Sequence, residues 1–217
     1  MSNKYPKAPD QWFTDEIARG RGIFDRDSFE FMLTWIKPER MRTVLDIGAH
    51  VGTWSIPLSQ KFQRVDAYEP NDENFNFLVD NIGEIQNIIP WNFALGNNHK
   101  SYVSLKDGAD NNGQTHIDEV YKNGASGLVQ MLALDQMIDL HEDIDLIKLD
   151  VEGYEQHVLM GGRQTILRQK PAIYLEFNGL GSRYGSQDTT TTIILQNWGY
   201  DIAGKCNKDF LFLPKGY

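Results

Sequence analysis

The sequence predicts an α/β chain: a seven-stranded, mostly parallel sheet with helices on both faces and a C-terminal antiparallel hairpin. Three observations carry this expectation. Short apolar runs alternate with segments of helical spacing, the pattern of a parallel sheet buried on both sides. Four of these runs end on or next to a carboxylate, at Asp46, Glu69, Asp150 and Glu176. The last two runs, YDIAG and DFLFLP, are separated only by a polar turn, as in a hairpin.

The chain has 217 residues, enough for one domain with a hydrophobic core that needs no cross-links. Cys206 is the single cysteine, so no internal disulfide can form. The formal net charge of −9 offers no basic stripe to neutralise phosphates, which disfavours a general nucleic-acid binder. No apolar run approaches the ~20 residues of a membrane span. MSNKYPKAPD lacks the apolar segment of a secretory signal, so a cytoplasmic location is expected.

Residues 1–42 read as a helical lid or cap ahead of a main domain at 43–217. Asp27 and Ser28 are placed to cap a helix whose Phe29, Met32, Trp35 and Ile36 share a face, stopped by Lys37-Pro38. TVLDIGA is the first strand, TWSIPLSQKF a helix and RVDAYEP the second strand. NDENFNFLVDNI is a helix with Phe75, Leu78, Val79 and Ile82 at helical spacing, and NIIPWNFAL is the third strand. Around 97–127 asparagine, glycine and aspartate are dense, and an inserted hairpin or loop is expected. LVQMLAL resumes the extended pattern, and Asp135 can cap a brief helix. IDLIKLD is the fourth parallel strand, EQHVLMGGRQTILRQ a helix, PAIYLEFN the fifth strand and TTTTIILQNWG a helix ended by Gly199.

The strongest functional signal is VLDIGAHVGTWSI. Gly48 and Gly52 flank a strand-to-helix turn where the backbone can approach a ligand, with Ala49 and His50 between them. The dinucleotide pattern G-x-G-x-x-G is absent. Asp46 closes the strand just before the turn, where it would repel a diphosphate and attract a cation. S-adenosylmethionine has no phosphate and carries an ammonium and a sulfonium, so the residues point to it rather than to NAD. The structural alternative is that Asp46 only organises the turn.

Glu69 ends the second strand about 20 residues past the glycine turn, the spacing at which a carboxylate accepts ribose hydroxyls. Pro70 and Tyr68 would border the adenine. Alternatively, Glu69 caps the helix that starts at Asn71. Asn92 and Phe93 end the third strand, where Asn92 either bonds the base or satisfies a turn.

VLDIGAHVG, YEPN, NFALG, IDLIKLDVEGYEQHVLMGG and KPAIYLEF together resemble the FkbM family of methyltransferases, over residues 43–178. The resemblance implies a Rossmann-like class I methyltransferase fold and O-methylation, often of sugar or polyketide-type hydroxyls. The acceptor would then be a small molecule or a glycan. The first 40 residues and the insert lie outside it and would select the substrate.

Methyl transfer to an alcohol needs a base to take its proton. Asp150 and Glu152 are the candidates, with Asp150 favoured by its place at the strand end. Asp150 is otherwise read as capping the helix near Tyr154. Lys148, on the same strand face, either tunes that base or forms a structural ion pair with Glu152, Glu176 or Asp150. Asp150, Glu176 and Asn178 also have the chemistry to hold Mg²⁺. His157 is read as facing solvent. Three other readings remain: an NAD-dependent oxidoreductase, a nucleic-acid methyltransferase, and a degenerate fold that only binds. The missing glycine pattern, the acidic charge balance and the acidic strand ends respectively disfavour them.

Overall fold

A computed structural model describes residues 5–97, 102–106, 115–118, 128–140 and 142–217. Two helices open the chain, α1 (Gln11–Arg19) and α2 (Arg26–Leu33). Then follow β1 (Thr43–Ile47), α3 (Ser55–Ser59), β2 (Arg64–Tyr68), α4 (Asp72–Ile82), β3 (Ile88–Trp91) and β4 (Ala94–Leu95). β5 (Tyr102–Lys106), β6 (His116–Asp118) and β7 (Leu128–Leu132) precede β8 (Ile144–Leu149), α5 (Glu155–Gly161) and α6 (Arg163–Gln169). The chain ends with β9 (Ala172–Glu176), α7 (Asp188–Asn197), β10 (Tyr200–Cys206) and β11 (Asp209–Pro214).

The main sheet has seven strands in the order β10-β11-β9-β8-β1-β2-β3. From β9 to β3 every pairing is parallel. β11 runs antiparallel to both neighbours, so the C-terminal hairpin inserts its second strand between β9 and β10. The order changes direction between β1 and β8, so the crevice for a ligand lies outside their C-terminal ends.

Strand periodicity explains the continuous apolar runs. Leu45, Ile47, Ile147, Leu149 and Leu175 face one core with Val158 and Leu159 of α5, Ile166 of α6 and Leu195 of α7. Val44, Val65, Ala67, Leu146 and Ala172 face the other with Phe29 and Met32 of α2, Leu58 of α3 and Leu78 of α4. Alternate residues of one strand thus serve opposite, covered faces. A small third cluster joins Phe13 and Ile17 of α1 to Val51 in the turn after β1.

Several elements differ from expectation for local reasons. NIIPWNFAL is not one strand: β3 pairs with β2, while β4 pairs with β7 in a separate four-stranded sheet, β4-β7-β5-β6. Where an inserted hairpin or loop was expected, β5 and β6 pair antiparallel, and residues 98–101, 107–114 and 119–127 of the insert lie outside the described residues. α2 begins at Arg26, so Asp27 falls in its first turn and Ser28 is buried rather than capping. On α4 Val79 is 40% exposed, and the buried face is Asn74, Leu78 and Ile82. Asn71 caps that helix by accepting the Asn74 amide at 3.0 Å. The helix expected after β8 is two, broken at Gly162. Asp135 caps the second of them from a distance, accepting the Gln164 and Thr165 amides at 3.0 and 2.8 Å. Among the described residues no helix is long and apolar enough to cross a membrane.

The junction between the two sheets rests on a close approach. A Cβ on Gly161 of α5 would lie 1.8 Å from the Gly96 carbonyl oxygen. Helix propensity alone makes Gly161→Ala stabilising by about 0.5–1 kcal/mol. The contact makes it destabilising by about 1–3 kcal/mol instead. Urea denaturation of the variant reads the sign directly, and a gain in stability would contradict the packing described here.

Candidate active site

A cavity of about 290 Å³ opens at the C-terminal ends of β1, β2, β8 and β9. The turn after β1 forms its floor. Gly48 has φ +82°, and a Cβ there would sit 1.8 Å from the Asp150 carbonyl oxygen. Glycine is required because the loops leaving β1 and β8 touch. The Gly48 and Ala49 amides both donate to the Tyr68 carbonyl, at 3.0 and 2.9 Å. These two amides therefore face the protein rather than a ligand. Gly52 does not line the cavity; its φ of +87° and its contact with Leu78 serve the packing of α4. His50, also left-handed at φ +51°, donates its amide to Glu69 Oε2 at 2.9 Å and packs its ring edge-on against Phe13, 4.4 Å between centroids. Burial, helped by the charge of Lys148, pushes the His50 imidazole down to about 4, so it is neutral at physiological pH.

Glu69 lines the cavity at the end of β2. Its two oxygens accept the His50 and Asn71 amides, each at 2.9 Å. Burial pushes its carboxyl up to about 7, against the opposing pull of those amides and of Lys148. Pro70 and Phe93 also line the cavity, and Phe93 packs against Tyr68. Asn92 does not. It is exposed, and its amide donates to the Glu69 carbonyl at 3.1 Å.

Asp46 is fully buried and does not line the cavity. Its Oδ2 accepts the Ser55 hydroxyl at 2.6 Å, and its Oδ1 lies 3.2 Å from Lys148 Nζ. Lys148 and Asp46 are register partners on β8 and β1. Lys148 also donates to the Gly48 carbonyl at 2.8 Å and stands 3.7 Å from Asp150. Burial alone would lower the Lys148 pKa. Asp46 and Asp150 outweigh it and hold the pKa above its ordinary value. The sequence offered Glu152, Glu176 or Asp150 as the lysine's partner; Asp46, the nearest carboxylate, was missed because it is matched only by strand register.

Beyond β8 the cavity is acidic. Asp150 and Glu152 line it together with Glu176 from β9 and Asp209 from β11. Asp150 does not cap α5: Glu155 accepts the Val151 and Gly153 amides there, both at 3.1 Å. Glu152 holds a left-handed φ of +54°. Burial, then Asp150, Glu176 and Glu155, push its carboxyl up to about 8, with Arg183 opposing. Burial, Asp150 and Asp209 push Glu176 up to about 7. Burial, with Asp150 and Asp25, pushes Asp209 up to about 6. A Mg²⁺ site at Asp150, Glu176 and Asn178 is not supported: the Asn178 amide nitrogen donates to Glu176 at 2.8 Å and its oxygen accepts the Leu180 amide at 3.0 Å. Among the described residues no group of three His, Cys, Asp or Glu side chains is placed to hold a metal.

Other features escaped sequence reasoning. Trp12, Phe13, Phe24 and Asp25 form one cavity wall from the N-terminal segment. Trp54 stands beside them, its indole donating to the Phe24 carbonyl at 2.7 Å. Asp209 opens the last strand directly opposite Glu176, a position legible only once β11 is known to pair with β9. His157 is half-buried and stacks on Tyr154, 4.3 Å between centroids.

The family profile described as Methyltransferase FkbM domain matches residues 46–202. No curated protein matches the sequence. Among solved structures, Methyltransferase FkbM from Methylobacillus flagellatus KT is similar at 16% identity and TM-score 0.51, over 94% of this chain and 61% of that one. The chain thus spans 61% of that protein's length. Magnesium protoporphyrin IX methyltransferase from Synechocystis PCC 6803, solved with bound SAM, is similar at 13% identity and TM-score 0.53, over 96% of this chain and 86% of that one. Precorrin-6y C5,15-methyltransferase from Geobacter metallireducens GS-15 is similar at 14% identity and TM-score 0.52, over 88% and 87%. At these identities the likeness establishes the fold.

The raised carboxyls have a consequence for stability. A group whose pKa is higher folded than unfolded favours the fold below its unfolded pKa and loses that contribution as pH rises through the folded value. Glu69, Glu152, Glu155 and Glu176 rise from 4.5 to between about 7 and about 8. Stability in urea is therefore expected to fall between pH 5 and pH 8, with a shallower fall in Glu69→Gln. A midpoint that stays level or rises over this range would contradict the burial assigned to these groups.

Proposed function

Because the chain belongs to the FkbM methyltransferase family, we propose that it is an S-adenosylmethionine-dependent O-methyltransferase acting on a hydroxyl of a sugar, glycan or polyketide-like small molecule. One observation carries the cofactor assignment. The Gly48 and Ala49 amides are spent on the Tyr68 carbonyl and the His50 amide on Glu69. A diphosphate would find no free amide among these three, and would meet Glu69 nearby. A nucleoside without phosphates meets neither obstacle, and this argues against NAD.

The residues present fit that cofactor. Glu69 would hold the ribose hydroxyls on the lone pairs its two amide bonds leave open. Phe93, Pro70 and Ile47 would border the base, and Ala49 and His50 would border the amino-acid end. Asp46 would act indirectly, by fixing Lys148 and through it the Gly48 turn. When bound, S-adenosylmethionine supplies a methyl group activated by its sulfonium.

At the acceptor end Glu152 is the better base. Asp150 already shares Lys148, whereas Glu152 has a carboxyl pushed up to about 8. A base with a pKa near the working pH takes an alcohol proton most effectively. Asp150 and Lys148 would orient the acceptor beside it. Residues 1–42 would cap the cavity over a domain at 43–217, a role supported by the wall of Trp12, Phe13 and Phe24. The acidic collar would repel a phosphate backbone, which disfavours nucleic acid as acceptor.

Titration calorimetry with S-adenosylhomocysteine and with NAD tests the cofactor. Micromolar binding of the former and none of the latter is expected; the reverse would overturn the reading. In a methyl-transfer assay with labelled cofactor and a panel of sugars, glycans and polyketides, Glu152→Gln should lower kcat by about 10²-fold or more while leaving S-adenosylhomocysteine affinity unchanged. Undiminished turnover would remove Glu152 from the chemistry.

A further inference from the structure

The acceptor end of the cavity carries more negative charge than the protein offsets. Asp150, Glu152, Glu176 and Asp209 all line it, and Lys148 is its only lining lysine or arginine among the described residues. That ammonium is engaged by Asp46, the Gly48 carbonyl and Asp150, and it also stands 5.8 Å from the Trp54 ring centroid. Arg183 and Lys208 temper Glu152 and Glu176 from outside the lining. Glu176 and Asp209 are direct cross-strand partners on β9 and β11, an arrangement of like charges that costs stability.

Two further observations point to a ligand. His50, at the end proposed above for the cofactor's amino-acid group, lines the same cavity, and neither buried ring nitrogen has a hydrogen-bond partner among the described residues. Beside the carboxylates stands an aromatic surface, Trp54 stacked on Tyr174 at 5.7 Å between centroids. The Tyr174 hydroxyl donates to Asp209 Oδ2 at 3.1 Å and so fixes that carboxylate. Carboxylates around aromatic faces form a surface that recognises an ammonium.

We propose that the acceptor carries a cationic amine beside its methyl-accepting hydroxyl, held by Glu176, Asp209 and the Trp54–Tyr174 surface. This rests on the methyltransferase reading and narrows its acceptor to an amino alcohol or amino sugar. A bound ammonium relieves the Glu176–Asp209 repulsion and leaves Glu152 to take the hydroxyl proton. A neutral polyol would leave the repulsion in place, and an acidic acceptor would add to it.

The test uses ethanolamine, ethylene glycol and glycolate, which are alike in size, each bear a hydroxyl and differ in charge. Saturation of the protein with S-adenosylhomocysteine is measured first. Failure at that step sinks the methyltransferase reading itself and this proposal with it. With the protein saturated, NMR titration at pH 7.5 should show ethanolamine binding about tenfold or more tighter than the other two. In the Glu176→Gln/Asp209→Asn double variant the preference should fall to within about twofold, with a melting temperature no lower than that of the parent. A second variant, Asp209→Asn alone, should lie between the two. Equal binding of the three probes, no binding of ethanolamine, or a preference that survives the double variant would overturn the proposal.

Discussion

A buried ammonium at the centre of the sheet fixes the geometry on which the rest depends. Lys148 lies on β8 directly across from Asp46 on β1, and it bonds both the Asp46 carboxylate and the Gly48 carbonyl. Neither side chain would be tolerated there alone, because an unpaired charge in the interior costs several kcal/mol. Together they lock the ends of the two central strands, and so the two loops that face each other across the cavity. The contact of Gly48 with the Asp150 carbonyl, which no side chain could tolerate, is the steric side of the same junction.

The remaining polar groups follow from this arrangement. The Gly48, Ala49 and His50 amides of the turn are consumed within the protein, by Tyr68 and Glu69. Negative charge accumulates instead along the far ends of β8, β9 and β11, where burial and mutual repulsion hold the carboxyls above their ordinary range. Clusters of perturbed carboxyls in a cleft mark functional sites. Here they line one part of the cavity, while Glu69, Pro70 and Phe93 line another.

Much of the fold was legible because burial on two faces leaves a simple mark. Val44 and Leu45 serve opposite cores, so the strands read as unbroken apolar runs between helical segments. The break at Asn92–Phe93 was not legible, since a strand that changes sheets keeps the same apolar composition. The split at Gly162 escaped for a similar reason: the periodicity runs through it, and only the approach of Gly161 to Gly96 and of Gly162 to Leu134 shows why the glycines are there. Asp150, Glu152 and Glu69 line one cavity, a placement legible because all three stand at or just past strand ends. The partner of Lys148, the aromatic wall from Phe13 and Phe24 and the place of Asp209 were not, because they depend on register and on long-range packing.

The Lys148–Asp46 pair holds the two strand ends together, and a double-mutant cycle measures it most directly. Urea denaturation of the parent, Lys148→Met, Asp46→Asn and the double variant yields their coupling energy. Each single variant leaves a buried charge without its partner, so each should lose more than the pair accounts for when both are removed together. A coupling of about 2 kcal/mol or more is expected. A coupling indistinguishable from zero would mean that the strand ends are held by something else, and the site built on them would need another foundation.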